Sequence, residues 1–165
     1  MTSDAILAHL DDWGIEYTRF DHAPLRTVED AKKIQHQLLS TDQGGGHIKN
    51  LYLRDHKKKN ILVVAEQDCV IDLKGLHKTL GTGRLSFGSK DRLMDALGVR
   101  PGAVTPLAMI NGVKSGVELF IDKTLQDRDV IYVHPLVNDR TLGLSIDGLN
   151  AFFPIINVTP NWVEL

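Results

Sequence analysis

Ile61-Leu62-Val63-Val64-Ala65 is an unbroken apolar run, and such a run fits a strand buried on both faces, at the centre of a sheet. A chain holding such a strand must cover both of its sides. Another segment, opening at Ile48, is joined to the run by the polar stretch Lys57 to Asn60, so the pair predicts a β-hairpin. Val130-Ile131-Tyr132-Val133-His134, stopped by Pro135, and Thr141 to Ile146 predict two more strands. Shorter ones are predicted at Ile15 to Phe20 and Leu85 to Phe87, while Val117 to Leu125 fits no period and stays unassigned.

Cover comes from amphipathic helices with legible ends. Ser3 or Asp4 can cap a first helix with Ile6, Leu7, Leu10 and Trp13 on one face and Gly14 at its end. Thr27, with Asp30 three positions on as a variant capping box, opens a second helix whose inner stripe is Val28, Ala31, Ile34 and Leu38. Asp72 caps a third, with Leu73, Leu76 and Leu80 inward and Gly81 at its close; Ser89 caps a fourth, with Leu93, Met94 and Leu97 inward and Gly98 at its close. A short helix is predicted near Leu149 to Phe152. The mixture shows no regular βαβ period, internal repeat or low-complexity linker, and predicts one mixed α/β domain over residues 1–165.

With 165 residues, 42% of them hydrophobic and 24% charged, the chain has material for one ordinary core. No apolar run approaches the roughly 20 residues that cross a bilayer, and the acidic start Met1-Thr2-Ser3-Asp4 has no signal-peptide core, so a cytoplasmic protein without membrane contact is expected. A single cysteine, Cys69, allows no internal disulfide and has no basic neighbour to activate it.

The formal charge of −2 hides an asymmetry: residues 1–48 carry 4 basic and 8 acidic side chains, residues 49–100 carry 11 and 6, and residues 101–165 carry 4 and 7. The net charges are −4, +5 and −3. The basic middle includes Arg54, Lys57-Lys58-Lys59, Lys74, Lys78, Arg84, Lys90 and Arg92. Either these are a solvated surface, or the fold gathers some of them to meet phosphates.

Chemical signatures are sparse. There is no Walker loop, GxSxG or HExxH, and the seven histidines show no metal-ligand spacing, so neither metal nor cofactor is expected. Three polar features stand out within apolar surroundings: Lys49-Asn50 after the triple glycine Gly44-Gly45-Gly46, the loop Gly102 to Pro106, and His134-Pro135-Leu136-Val137-Asn138. Strand alternation puts Lys49 on the face of Leu51 and Leu53, and Asn50 on that of Ile48 and Tyr52. Lys49 either points its ammonium into a pocket or lays its stem on the leucines and snorkels to water. His134 is a pocket group or a satisfied strand-end histidine, and Gly102 and Pro106 serve a site or only shape a turn. The triple glycine is a geometric spacer or a moving loop.

Five segments, in order, carry a resemblance: Thr27-Val28-Glu29-Asp30-Ala31, Gly46-His47-Ile48-Lys49-Asn50-Leu51-Tyr52-Leu53-Arg54-Asp55, Arg84-Leu85-Ser86-Phe87, Gly98 to Pro106, and His134 to Asn138. Over residues 3 to 165 the chain resembles the YbaK-type editing domains related to the insertion domain of bacterial prolyl-tRNA synthetase. Within these it is most similar to the free-standing ProX/PrdX-like branch that deacylates alanyl-tRNA(Pro). The resemblance implies a compact domain with a mixed, partly barrel-like sheet flanked by helices. It also implies a trans-editing hydrolase of the aminoacyl ester, with the water assisted by the substrate's ribose hydroxyl.

On that resemblance Lys49, Gly102 and His134 form the catalytic set. Thr27, Asn50, Ala103, Val104, Thr105, Pro106, Leu107, Met109 and Asn138 bind substrate, with Val104, Leu107 and Met109 as a size-selective wall. Lys49 positions the tRNA end as a point charge, and amides of the glycine loop support the oxyanion. The implied partners are the acceptor end of mischarged tRNA and, transiently, prolyl-tRNA synthetase or elongation factor. Cysteinyl-tRNA(Pro) or seryl-tRNA as substrate, and a non-catalytic tRNA-binding module assisting a synthetase, are the competing readings.

Overall fold

A computed structural model describes residues 1–25 and 27–165, and the side chain of Val28, one of the predicted inner-stripe residues, lies outside what it describes. In chain order the elements are α1 (Ser3–Asp12), β1 (Thr18–Asp21), α2 (Val28–Gln35), β2 (Gly45–Gly46), β3 (Ile48–Asp55) and β4 (Asn60–Glu66). They continue with α3 (Leu73–Leu80), β5 (Leu85–Phe87), α4 (Lys90–Leu97), α5 (Met109–Gly112), β6 (Glu118–Asp122), β7 (Val130–Val133), β8 (Arg140–Ser145), α6 (Ile146–Ile155) and β9 (Asn161–Val163).

The apolar run forms β4, the middle strand of a five-stranded sheet ordered β5-β3-β4-β6-β9. Its antiparallel hairpin with β3 is the predicted one, in register Leu53↔Ile61 and Lys49↔Ala65. Asp55 makes the turn: it is 8% exposed, and one carboxylate oxygen accepts from the Lys57 and Lys59 amides at 2.9 and 2.8 Å. Both faces of β4 are covered. Leu62 and Val64 join the main core, while Ile61 and Val63 join a smaller cluster with Leu53, Leu76, Leu80 and Phe120 beneath α3.

The second sheet, ordered β1-β8-β7-β2, has four strands. Its inward residues Ile131, Val133, Leu142 and Leu144 complete the main core together with Ile6 and Leu10 of α1, Leu97 of α4, and Phe152 and Phe153 of α6. The expected mixed α/β architecture is present, with one revision: the strands divide between two sheets instead of one partly barrel-like sheet, and the described strands do not close into a barrel.

Side chains close to their own backbone set the helix ends that the sequence predicts. Thr27, Asp72 and Ser89 cap α2, α3 and α4 by accepting from the amides of Asp30, Lys74 and Arg92. At α1 the cap is Thr2, which accepts from Ala5; Ser3 is drawn inward and accepts from Arg140 at 3.1 Å. Met94 is 44% exposed and Ala96 takes the inward place between Leu93 and Leu97. The second helix stops at Gln35, leaving Leu38 beyond it, and α6 is longer than predicted.

Two strands went unpredicted and one segment unassigned, all three joined to parallel partners. In the unassigned stretch, β6 pairs parallel with β4, and β9 pairs parallel with β6. The third case is the triple glycine: Gly45 and Gly46 form β2, buried and parallel to Val130 and Ile131 of β7. A Cβ on Gly45 would fall on the Leu39 carbonyl, so the glycine permits a close crossing of two backbones. The moving-loop reading is therefore replaced by a packed one.

Candidate active site

Strands β7 and β8 pair antiparallel with Tyr132 opposite Gly143. Because side chains alternate, the inward set Ile131, Val133, Leu142 and Leu144 leaves Val130, Tyr132 and His134, with Thr141, Gly143 and Ser145, on the opposite face. Helix α2 lies across this face and encloses a cleft of about 80 Å³, lined by Ala31, Ile34, Gln35, Ile48, His134 and Thr141 among others. A longer, open groove of about 1080 Å³ continues past Tyr132 and Leu38, with Asp11 and Glu16 on its rim.

His134 has a defined tautomer. Its Nδ1 lies 3.0 Å from the Arg140 carbonyl oxygen, which can only accept, so Nδ1 carries the proton and Nε2 keeps its lone pair in the neutral ring. Burial pushes the imidazole below its ordinary value; the Arg140 carbonyl works against this, and His22 adds to the depression. His22 is held by Ala23 O at 2.8 Å from Nδ1 and Thr141 Oγ1 at 2.8 Å from Nε2. With Nδ1–H donating to the Ala23 carbonyl, Nε2 receives the hydroxyl proton of buried Thr141.

The approach to α2 is tied to the segment after His134. Asn138 Nδ2 donates to Leu25 O at 3.0 Å, and the Leu25 amide donates to Asn138 O at 3.0 Å. Gly102 adjoins this pair: its φ is +89°, and a Cβ there would stand 3.6 Å from both Asn138 Nδ2 and Leu25 O. The loop is shaped by Ala103 N donating to Arg100 O at 3.0 Å and by buried Thr105, whose Oγ1 accepts from Leu107 N at 3.3 Å. Pro106 is buried after it and Val104 is half-buried.

Two of the three proposed wall residues are elsewhere. Leu107 and Met109 are 0% and 1% exposed and belong to the main core, because the chain turns inward at Thr105. Thr27 is exposed as the cap of α2, its Oγ1 accepting from Asp30 N at 3.1 Å. Lys49 lies on the face of Leu51 and Leu53, as alternation requires, and its ammonium donates to the Cys69 carbonyl. Ile48, not Lys49, lines the cleft. Asn50 points to the other side of β3, and its Oδ1 is buried with no hydrogen-bond partner among the described residues. His134, Asn138 and Gly102 are thus neighbours around Leu25, while Lys49 stands apart from them.

Several cleft residues escaped the reading of the sequence. Tyr132 stacks on His47 with ring centroids 5.2 Å apart, and its hydroxyl oxygen accepts from Leu39 N at 2.8 Å. His47 Nε2 donates to Leu39 O at 2.7 Å. Gln35 donates to Gln67 at 2.8 Å, bridging α2 to the end of β4. Tyr132 and His134 could have been found together, since they share a strand face; His22 carried no such signal. Among the described residues, no three His, Cys, Asp or Glu side chains gather as a metal site.

A model of the aminoacyl-tRNA editing domain family matches residues 22–152. Prolyl-tRNA editing protein ProX of Acetoanaerobium sticklandii is 40% identical over 162 residues, 98% of this chain and 96% of that protein. Prolyl-tRNA synthetase associated domain-containing protein 1 of Xenopus laevis is 33% identical over 146 residues, 85% of this chain and 83% of that one. A structure proposed as a trans-editing enzyme for prolyl tRNA synthetase superposes with a TM-score of 0.70 at 15% identity, covering 100% of this chain and 98% of its own. Hypothetical protein APE2540 gives 0.71 at 17% identity, with 96% and 97% covered. At such identities the two structures speak for the fold alone.

Proposed function

The chain belongs to the aminoacyl-tRNA editing domain family, and from that premise we propose that it is a trans-acting deacylase that hydrolyses the ester of alanyl-tRNA(Pro). The observation that carries this reading is the 40% identity, over nearly the whole of both chains, to a protein named for prolyl-tRNA editing.

The physical case for such an enzyme is one of size. A synthetase pocket built for proline cannot strongly exclude alanine, since each lost methylene contact is worth only about 1–3 kcal/mol. A second, smaller site sorts in the opposite sense, because forcing extra methylenes into a fitted space costs about 1–3 kcal/mol. The cleft under α2, at about 80 Å³, has the scale of a small side chain; water occupies about 30 Å³ per molecule in the liquid.

Within that cleft the neutral His134 offers its Nε2 lone pair to the attacking water or to the ribose hydroxyl that assists it. The Gly102 backbone, held beside Asn138, supplies an amide donor for the oxyanion that forms at the ester carbonyl. Lys49, which stands outside the cleft on the other face of β3, acts in this scheme only on the incoming tRNA backbone, by exchanging the Cys69 carbonyl for a phosphate oxygen. Its role is electrostatic positioning, not covalent attack. The protein works in the cytoplasm on tRNA released from prolyl-tRNA synthetase, with brief contact to the synthetase or elongation factor.

Deacylation of alanyl-, cysteinyl-, seryl- and prolyl-tRNA(Pro) by the protein and its Lys49→Ala and His134→Gln variants tests the scheme. Alanyl-tRNA(Pro) is expected to be hydrolysed fastest and prolyl-tRNA(Pro) to be spared. Preference for the cysteinyl or seryl ester would move the specificity, and no turnover on any of the four would leave an RNA-binding module. Unchanged turnover in both variants would remove their assigned roles.

A further inference from the structure

Arg54 of β3 has Asn60 of β4 opposite it on one side and Ser86 of β5 on the other. Directly opposed residues share a face, so three polar side chains lie abreast there. The Arg54 Nε is buried and has no hydrogen-bond partner among the described residues. Arg54, Asn60, Ser115 and, from α4, Arg92 line a cavity of about 200 Å³, with Asp95 beside them. Tyr52 donates its hydroxyl to Asn60 Oδ1 at 2.7 Å, which commits that oxygen and leaves the amide nitrogen as a donor.

Among the described residues neither arginine enters an ion pair. Two arginines and one aspartate give the lining a formal charge of +1. A guanidinium with an idle, enclosed N–H is completed by an oxyanion, which can take two of its donors at once. Exposed Lys57, Lys58, Arg84 and Lys90 surround this end of the sheet, whereas the groove beyond the cleft carries Asp11 and Glu16. A polyanion reaching the cleft therefore meets favourable charge along β3 and unfavourable charge along the other route.

We propose that the Arg54–Arg92 cavity seats one backbone phosphate of the tRNA acceptor stem while the aminoacyl end occupies the cleft under α2. The spacing fits. Ile48, at the cleft, and Arg54 are six residues apart on one strand, about 20 Å at roughly 3.3 Å per residue, the reach of about six stacked nucleotides at roughly 3.4 Å each. A phosphate contact of this kind fixes register without reading sequence. The proposal rests on the deacylase reading only for the identity of the RNA.

The test is binding of an uncharged RNA hairpin with an acceptor stem and CCA end, titrated over a series of KCl concentrations. Arg54→Gln and Arg92→Gln are each expected to weaken binding about tenfold and to reduce the slope of log Kd against log [KCl] by about one. Arg54→Lys should recover the slope but only part of the affinity, since it restores charge without the planar fork. With alanyl-tRNA(Pro), the Gln variants should raise KM and leave kcat unchanged. Affinity and slope equal to wild type in Arg92→Gln, together with wild-type affinity in Arg54→Lys, overturn the proposal even if Arg54→Gln fails to fold; so does a fall in kcat without a rise in KM. Arginine-dependent RNA binding by a protein that deacylates nothing would sink the deacylase reading alone. Turnover with arginine-independent binding would sink the phosphate seat alone.

Discussion

At the level of single residues, His134 ties the proposed chemistry to stability. Its proton sits on Nδ1 against the Arg140 carbonyl, and burial, ahead of the smaller opposing and reinforcing influences, depresses its pKa. As pH falls through the ordinary histidine range near 6.5, the unfolded chain takes up a proton that the folded chain still refuses. The unfolded state then binds more protons, so stability falls with falling pH until the folded imidazole also titrates. Thermal melts across pH 5–8 should show a shallower acid slope in His134→Gln than in wild type. Equal slopes would mean that the imidazole is not held neutral. The acid limb of kcat/KM should likewise lie below about 6.5. Gly102 is the complementary case: its φ of +89° disfavours any other residue by about 1–2 kcal/mol, although 3.6 Å leaves room for a methyl. Gly102→Ala is therefore expected to lower unfolding free energy by about that amount in denaturant titrations while reducing deacylation more severely.

Among the elements, α2 is the one whose independence matters. It has only eight residues, too few to hold helix without tertiary contacts, and Ala31, Ile34 and Gln35 are only half-buried. Thr27→Ala removes the cap on Asp30, worth about 1 kcal/mol, from an element that contributes little to the main core. Amide exchange at residues 29–31 is expected to speed up about fivefold and KM to rise, with the global melting temperature little changed. A large global loss would show that α2 is part of the cooperative core. The hairpin of β3 and β4 behaves oppositely, with Asp55 buried in its turn and both faces of β4 covered.

For the molecule as a whole, the two sheets are joined by one main core in which Phe152 is 0% exposed and lies edge-on to Phe153 at 5.7 Å. Phe152→Ala is expected to lower the unfolding free energy by about 3–5 kcal/mol, measured by urea titration. A loss below about 1 kcal/mol would contradict the burial. Lys49 shows what this scale adds to the site: its strand face followed from alternation, but whether that face met the cleft depended on how the second sheet packs.

Short-range order was legible because its partners are near in sequence. The caps Thr27, Asp72 and Ser89, the β3–β4 hairpin and the doubly covered β4 follow from side chain–backbone bonds, turn residues and periodicity that operate over a few positions. The parallel pairings of β2, β6 and β9 were not legible, since parallel neighbours are joined by long crossovers whose endpoints no local pattern specifies. The same limit applied to the site. Sequence marked Gly102, His134 and Asn138 as candidates; tertiary packing made them neighbours, moved Leu107 and Met109 into the core, and turned Lys49 away. Which residues alternate is a property of one strand, but which face is wet, enclosed or buried is decided by what packs against it.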